Sequence, residues 1–161
     1  MDCSSDGFIK INVDATFHLG KSAAAVVARD HKGDIVAVAS TIQRQSKTLA
    51  AEASAFLLAL NVAQQMQFHN CIIEGDSQTV VKVLNGELHT TPWRILILSE
   101  ELKSISHSFN SVSFKFVKRR ANAVAHNLAK YAAKHNVQAI WIPSQIPRYI
   151  VSCLSEAPTA S

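Results

Sequence analysis

The sequence predicts an α/β domain: a mixed five-stranded sheet, an antiparallel meander then parallel strands, flanked by helices. Two observations support this. Residues 8–42 contain three short apolar segments separated by short links, which is typical of an antiparallel meander. From residue 48 onward apolar side chains recur at helical spacing, and strands then alternate with helices, which is typical of helical crossovers between parallel strands.

The meander is predicted from residues 8–13, 23–29 and 34–42. In the first segment apolar side chains alternate with Lys10 and Asn12, as in a half-buried strand. Residues 15–21 are predicted as a loop. Between the second and third strands the run DHKGD supplies a turn, because Gly33 can take a positive φ.

The later elements are predicted from periodicity and caps, and they are helix 48–67, strand 71–74, helix 77–84, helix 93–106, strand 111–117 and helix 122–135. Asn122 is a plausible N-cap of the last helix. We therefore predict a flexible N-terminus (1–7), one domain (8–139) and a partly ordered C-terminal tail (140–161) whose last residues are disordered.

Length and composition limit the functional classes. The chain has 161 residues, of which 48% are hydrophobic, which is enough for one domain with a core. It contains no run of about 18 apolar residues and no basic-then-apolar start, so neither a membrane span nor a secretory signal is predicted. Cys3, Cys71 and Cys153 are odd in number and far apart, which favours a reducing compartment. We expect an intracellular protein, cytoplasmic or nuclear.

Three carboxylates interrupt mostly apolar elements. Asp14 ends the first strand pattern, Glu52 lies in the long helix, and Asp76 follows the fourth strand. Singly, each has an ordinary explanation: a turn residue, an exposed helix residue and an N-cap. An ionised carboxylate is costly to bury without compensation, and Mg²⁺ prefers oxygen ligands. If the three converge, they suit divalent metal ions.

The charge distribution adds one candidate binding surface. The formal charge is +4 and the sequence pI is about 9.1, which alone is weak support for a polyanionic partner. Lys115, Lys118, Arg119 and Arg120 cluster just before the last helix. Such a cluster is ordinarily a solvated surface, and it becomes a candidate nucleic-acid site only if it lies beside the carboxylates.

Five stretches, spanning roughly residues 8–134, carry a family resemblance: KINVDATF, ARDHKGDIV, AEASAFLLAL, EGDSQTVVKVLN and ANAVAHNLAK. Together they resemble the type 1 ribonuclease H family, and most closely the plant branch of its reverse-transcriptase-associated domains. The resemblance implies a ribonuclease H-like fold. It also leaves open that the chain is a retrotransposon-derived fragment without a cellular role.

The resemblance implies a metal-dependent endoribonuclease that hydrolyses the RNA strand of RNA–DNA hybrids by a two-metal mechanism. Carried over by motif, Asp14, Glu52 and Asp76 hold Mg²⁺ or Mn²⁺. Gln78, in the Asp-Ser-Gln motif, matches a family position that contacts the minor groove of the hybrid. The hybrid is the implied partner.

The chain departs from the family pattern at the fourth acidic position, where it reads Asn-Ala-Val-Ala-His and places His126. Neutral imidazole is a poor Mg²⁺ ligand, so we expect the second metal position to be weak. Many plant members resemble this chain in that substitution. His126 is therefore a candidate catalytic residue, as a ligand of Mn²⁺ or a proton carrier, with a helix-surface histidine as the alternative.

A second departure concerns how the hybrid is held. Bacterial members carry a basic protrusion where residues 85–92 contain only Glu87 as a charged residue. The grip would then come from Lys115, Lys118, Arg119 and Arg120. Two hypotheses follow: a hybrid-cleaving nuclease, or a catalytically weak or inactive domain that binds nucleic acid or a protein partner.

Overall fold

The computed structural model describes residues 7–44 and 47–155, and the following elements lie within them. The strands are β1 (Phe8–His18), β2 (Lys21–Arg29), β3 (Ile35–Gln43), β4 (Asn70–Gly75), β5 (Ser111–Phe116) and β6 (Ala139–Trp141). The helices are α1 (Thr48–Gln65), α2 (Gln78–Leu84), α3 (Leu96–Ser106), α4 (Ala123–His135) and α5 (Arg148–Ser155). The predicted flexible N-terminus, apart from Gly7, and the predicted disordered end of the tail fall outside the described residues.

One mixed sheet has the strand order β5-β4-β1-β2-β3-β6. β1, β2 and β3 pair antiparallel, whereas β4 pairs parallel with both β1 and β5. The predicted α/β fold, with its meander followed by parallel strands, is confirmed. The count of five strands was wrong, because β6 adds an antiparallel edge strand beside β3. Its three residues are too few to show a period of two.

Helices cover both faces of the sheet. On one face α1 packs its buried Phe56 and Leu60 against the sheet, and α3 adds Leu102. On the other face α4 contributes Leu128 and α5 contributes Ile150, both fully buried. Burying such a side chain stabilises the fold by about 1.5–3 kcal/mol. The two helical layers hold β1 in the middle of the sheet.

The β1–β2 hairpin is longer than the predicted one. Residues 15–18 were predicted as loop, but they continue β1 and pair with residues 21–24 of β2. The chain reverses at Leu19 and Gly20, both of which have positive φ. The strand pattern was hidden because this arm carries small and polar side chains rather than a regular apolar alternation.

The segment treated as a tail contains both β6 and α5. A 3-10 turn at Pro143–Gln145 connects them, and Ile150 of α5 is completely buried beside α4. A sequence rich in proline is therefore compatible with ordered structure here, since the prolines lie between the two elements rather than inside them.

Candidate active site

Asp14 and Asp76 meet because both lie just beyond the point where the parallel pairing of β1 with β4 ends. Asn12 of β1 is paired with Glu74 of β4, so two residues further on Asp14 is level with Asp76. The two carboxyl groups are hydrogen-bonded to each other. Asp14 is 4% exposed and lies inside β1, so the turn-residue alternative was wrong.

Glu52 joins this pair from α1. One small pocket is lined by Asp14, Glu52 and Asp76, and Ser77 donates a hydrogen bond to the Glu52 side chain. Ser77 is also the N-cap of α2, since its hydroxyl accepts the amide of Val80. The helix-cap alternative for Asp76 was therefore wrong, and the Asp76 side chain is available to the pocket.

The close approach of α1 to β4 depends on Gly75. A Cβ at this position would lie 2.7 Å from Cζ of Phe56 and 3.1 Å from Cγ2 of Val13. The absence of a side chain at Gly75 thus lets the ring of Phe56 pack against the end of β4. This packing holds α1, and with it Glu52, against the strand that carries Asp76.

The carboxylates perturb one another. Burial, followed by the charge of and a hydrogen bond with Asp76, raises the pKa of Asp14 to about 8. Burial also raises the pKa of Glu52, with a smaller contribution from Asp76. Too little positive charge therefore surrounds the ionised forms of Asp14 and Glu52 to offset their burial. An acidic cluster in this condition favours binding of a cation.

His126 contacts this cluster directly from α4. Its Nδ1 lies 2.6 Å from Oδ2 of Asp14. Burial lowers the pKa of His126, and the nearby Arg119 and Lys130 lower it further. At 2.6 Å a proton lies between Oδ2 of Asp14 and Nδ1 of His126, so one of the two groups donates a hydrogen bond to the other.

Arg119, one of the predicted basic cluster, contacts the acidic site directly. Its Nε lies 3.2 Å from Oδ2 of Asp76, and its Nη1 lies 3.0 Å from Nδ1 of His126. The sequence predicts that this cluster could bind nucleic acid, but it does not predict an ion pair between Arg119 and Asp76. Nothing in the run of three cations marks the middle one as the residue that turns into the acidic pocket.

Asn122 links α4 to β1 beside the site. Asn122 is the N-cap residue of α4, as predicted, but its side chain makes no capping hydrogen bond. Its Nδ2 instead donates to the carbonyl of Val13 at 2.6 Å, and its Oδ1 accepts from Asn12 at 3.2 Å. Asn122 is 1% exposed, so these bonds fix the start of α4, and hence His126, relative to Asp14. The pair of buried amides was missed because neither residue is unusual by itself.

The remaining predicted contact residues surround the pocket. Gln78 is exposed at the first turn of α2, directly after the Asp76-Ser77 corner. Lys115 is exposed on β5 opposite Glu74, while Lys118 and Arg120 are exposed around the 3-10 segment that precedes α4. The basic cluster therefore lies next to the acidic site, which is the arrangement that gives it weight as a binding surface.

The donor set fits a hard divalent cation. Among residues 7–44 and 47–155, no group of three His, Cys, Asp or Glu side chains has the spacing of a formed metal site. However, Asp14 and Asp76 are in contact, Glu52 lines the same pocket, and their oxygens are the ligands that Mg²⁺ and Mn²⁺ take. A proton on Asp14 and the guanidinium of Arg119 supply positive charge there.

A family model described as reverse transcriptase-like matches residues 12–132, three quarters of the chain. The chain belongs to this family. The match runs from within β1 to within α4. It therefore includes all the site residues described above: Asp14, Glu52, Asp76, Arg119, Asn122 and His126. No curated protein matches the sequence at a significant level.

Solved structures share the fold. RNase H1 from the halophilic archaeon Halobacterium salinarum has a TM-score of 0.75 and 25% identity, covering 81% of this chain and 100% of that one. The N-terminal RNase H domain of a Mycobacterium tuberculosis protein has a TM-score of 0.73 at 18% identity, covering 79% and 94%. LC11-RNase H1, solved with an RNA/DNA hybrid, has a TM-score of 0.72 at 20% identity, covering 80% and 98%.

These matches confirm the resemblance to type 1 ribonuclease H, while the plant branch stays a prediction.

Within the described part of the chain, no helix has the length and apolar character needed to cross a bilayer.

Proposed function

We propose that this protein is a metal-dependent endoribonuclease that hydrolyses the RNA strand of RNA–DNA hybrids. The observation that carries the proposal is the shared pocket of Asp14, Glu52 and Asp76, which lies beside α1 where the parallel pairing of β1 and β4 ends. The hybrid bound to the structurally similar LC11-RNase H1 supports the choice of substrate.

Asp14, Glu52 and Asp76 would hold Mg²⁺ or Mn²⁺. Such ions, when bound, lower the pKa of an attacking water and stabilise the negative charge that develops on the leaving oxygen. The protein's part is to present anionic oxygens from three elements whose relative positions are fixed by the sheet and by the contact of Phe56 with Gly75.

Two groups beside the acids would respond to a bound cation. Asp14 must be ionised to act as a ligand, and His126, whose Nδ1 lies 2.6 Å from Oδ2 of Asp14, is placed to accept the proton or to bind the metal itself. Arg119 must also release Asp76, which is a modest requirement because its side chain is 61% exposed. We therefore assign Arg119 a role as exchangeable counter-ion, and His126 a role as proton acceptor or as metal ligand.

The rim of the pocket would hold the hybrid. Lys115, Lys118 and Arg120 are exposed and can neutralise phosphates, while the amide of Gln78 can hydrogen-bond to 2′-hydroxyls or base edges in the minor groove. Arg119, once released from Asp76, would join them. This distribution replaces the basic protrusion that the chain lacks.

A cleavage assay tests the proposal. The purified chain is incubated with an end-labelled RNA–DNA hybrid in Mg²⁺ and in Mn²⁺, beside an RNA duplex and a DNA duplex. We expect cleavage of the RNA strand of the hybrid alone, and a loss of at least about 100-fold in Asp76→Asn. The exposed turn residue Asp34 provides the matched control, Asp34→Asn. Equal cleavage by wild type and Asp76→Asn would refute the assigned site.

A nucleic-acid-binding domain without hydrolysis is the second candidate. It is favoured by the histidine at the fourth acidic position and by the ion pair of Arg119 with Asp76. It predicts hybrid binding in EDTA whose affinity falls steeply with salt, with no cleavage in either metal. Fluorescence anisotropy on the same hybrid separates the two candidates, since only the nuclease consumes it.

A further inference from the structure

A second depression, larger than the carboxylate pocket, lies between α4, α5 and the end of β1. This α4–α5 groove has a volume of about 520 Å³, and its lining includes Phe17, His18, His126, Lys130 and Lys134. It exists because β1 continues past Asp14 and because α5 packs on α4. Both features lie in segments that the sequence predicts as loop (15–21) and as tail (140–161).

The groove and the carboxylate pocket share one residue. His126 lines the groove and also contacts Asp14. Lys130, one helical turn further along α4, is close enough to lower the pKa of His126. The carboxylate pocket and the groove are therefore adjacent, with His126 between Asp14 and Lys130.

The groove has the charge of a phosphate-binding surface. Lys130 and Lys134 are both exposed on the same side of α4, being four residues apart. His18 adds a third basic group, and no described lining residue is Asp or Glu. Lys and Arg side chains that neutralise phosphates supply most of the sequence-independent affinity for nucleic acid.

Aromatic side chains distinguish the α4–α5 groove from a plain basic surface. Phe17 lines it and is 41% exposed, so part of its ring is open to a ligand. Tyr131 forms a wall and is held by ring contacts with His135 and Tyr149 at 4.3 and 5.9 Å. Basic side chains combined with an exposed aromatic ring are typical of sites that bind unpaired strands, because bases stack on the ring.

We propose that the α4–α5 groove binds a single nucleic-acid strand that continues beyond the hybrid at the carboxylate site, with Lys130 and Lys134 on its phosphates and Phe17 stacked on a base. The proposal rests on the proposed function for the direction of the strand. The groove volume fits a short unpaired stretch rather than a duplex. The protein would then act at junctions between hybrid and single strand.

The test uses anisotropy in EDTA with a blunt 12-base-pair hybrid and with the same hybrid extended by six unpaired nucleotides of RNA or of DNA, at either end. We expect one extension to raise wild-type affinity about tenfold, and Lys130→Gln/Lys134→Gln to remove that gain and to lower the salt slope by about 1.4. Phe17→Leu should lose part of the gain without changing the salt slope. The RNA and DNA arms identify which strand is bound.

The matched control is Lys32→Gln/Lys103→Gln, which removes the same charge far from the groove, in the β2–β3 turn and on α3. It should keep the gain. Equal losses in this control, or no gain from any extension while the hybrid is bound and cleaved, would overturn the groove proposal. If wild type neither binds nor cleaves the blunt hybrid but binds a free strand through Lys130 and Lys134, the groove stands and the nuclease proposal fails.

Discussion

The Nδ1 of His126 lies 2.6 Å from Oδ2 of Asp14, so a histidine touches the most buried acid of the site at the position where the family resemblance implies a fourth acid. This contact shows that His126 touches the carboxylate pocket, although 24% of its side chain is exposed. The choice between metal ligand, proton carrier and helix-surface histidine is an experimental one.

His126→Asp should raise Mg²⁺-supported cleavage relative to Mn²⁺. An additional carboxylate is a better ligand for Mg²⁺ than imidazole, so we expect about tenfold tighter Mg²⁺ binding with hybrid present. Calorimetric titration of each metal and cleavage rates in each metal provide the measurements. His89→Asp, in an exposed loop, is the control. An unchanged ratio of Mg²⁺ to Mn²⁺ activity would show that residue 126 does not contribute to the metal site.

Arg119→Gln should strengthen divalent-cation binding to the free protein. The guanidinium of Arg119 competes with added cations for Asp76, and an exposed ion pair of this kind is worth at most about 1 kcal/mol. Removing it should therefore tighten Mn²⁺ binding by up to about fivefold. Arg120→Gln changes the same charge at an exposed neighbouring position and should leave Mn²⁺ affinity within twofold of wild type. Weaker Mn²⁺ binding by Arg119→Gln would contradict the competition.

Asp14 should make the metal-free protein less stable as the pH rises. Its pKa is raised from 3.8 to about 8 on folding, so between these values the folded protein holds a proton that the unfolded chain has released. The corresponding stability is present below about pH 4 and is lost as the pH approaches 8. Asp14→Asn, which keeps a neutral group, should raise the melting temperature at pH 8 in EDTA by roughly 3–6 °C.

The same comparison at pH 4 should show a much smaller difference between Asp14→Asn and wild type, because pH 4 is close to the unfolded value of 3.8 and little of the linked stability has yet been lost. Asp34→Asn, in the exposed β2–β3 turn, should behave as wild type at both values. Stabilisation by Asp14→Asn that is equal at pH 4 and pH 8 would rule out ionisation as its cause.

Gly75→Ala should destabilise the fold and impair the site together. The new methyl group would overlap the ring of Phe56, and overpacking of this kind costs about 1–3 kcal/mol. Phe56→Leu leaves space at the same point. The double variant should therefore lose less unfolding free energy than the two single variants lose together. Urea unfolding of the four proteins measures this coupling. Strict additivity would mean that Gly75 and Phe56 are not in contact.

Most of the sheet could be predicted from the sequence, and so could the set of acids. Asp14, Glu52 and Asp76 are visible because each breaks an apolar pattern, and parallel strand ends bring such breaks together. Their assignment to catalysis and metal binding stays a prediction. The direction of Arg119 could not be predicted, because it depends on the turn of the chain between β5 and α4 rather than on local composition.

The α4–α5 groove could not be predicted from the sequence, for a related reason. Its walls include the late part of β1, which has no regular apolar alternation, and the helix α5, which is amphipathic but has only eight residues and follows two prolines. Ala15 and Thr16 form strand because β2 offers them partners, and α5 is held by tertiary burial of Ile150. The groove therefore depends on how these segments pack on α4, which local periodicity does not give.

The pairing of β6 with β3 has a practical consequence for anyone shortening the chain. A product ending at residue 138, near the boundary the motifs suggest, would leave β3 with an open row of backbone donors and acceptors. It would also uncover the apolar side of α4 that Ile150 protects. Such an edge recruits strands from neighbouring copies, so insoluble aggregates would be the expected product of that truncation.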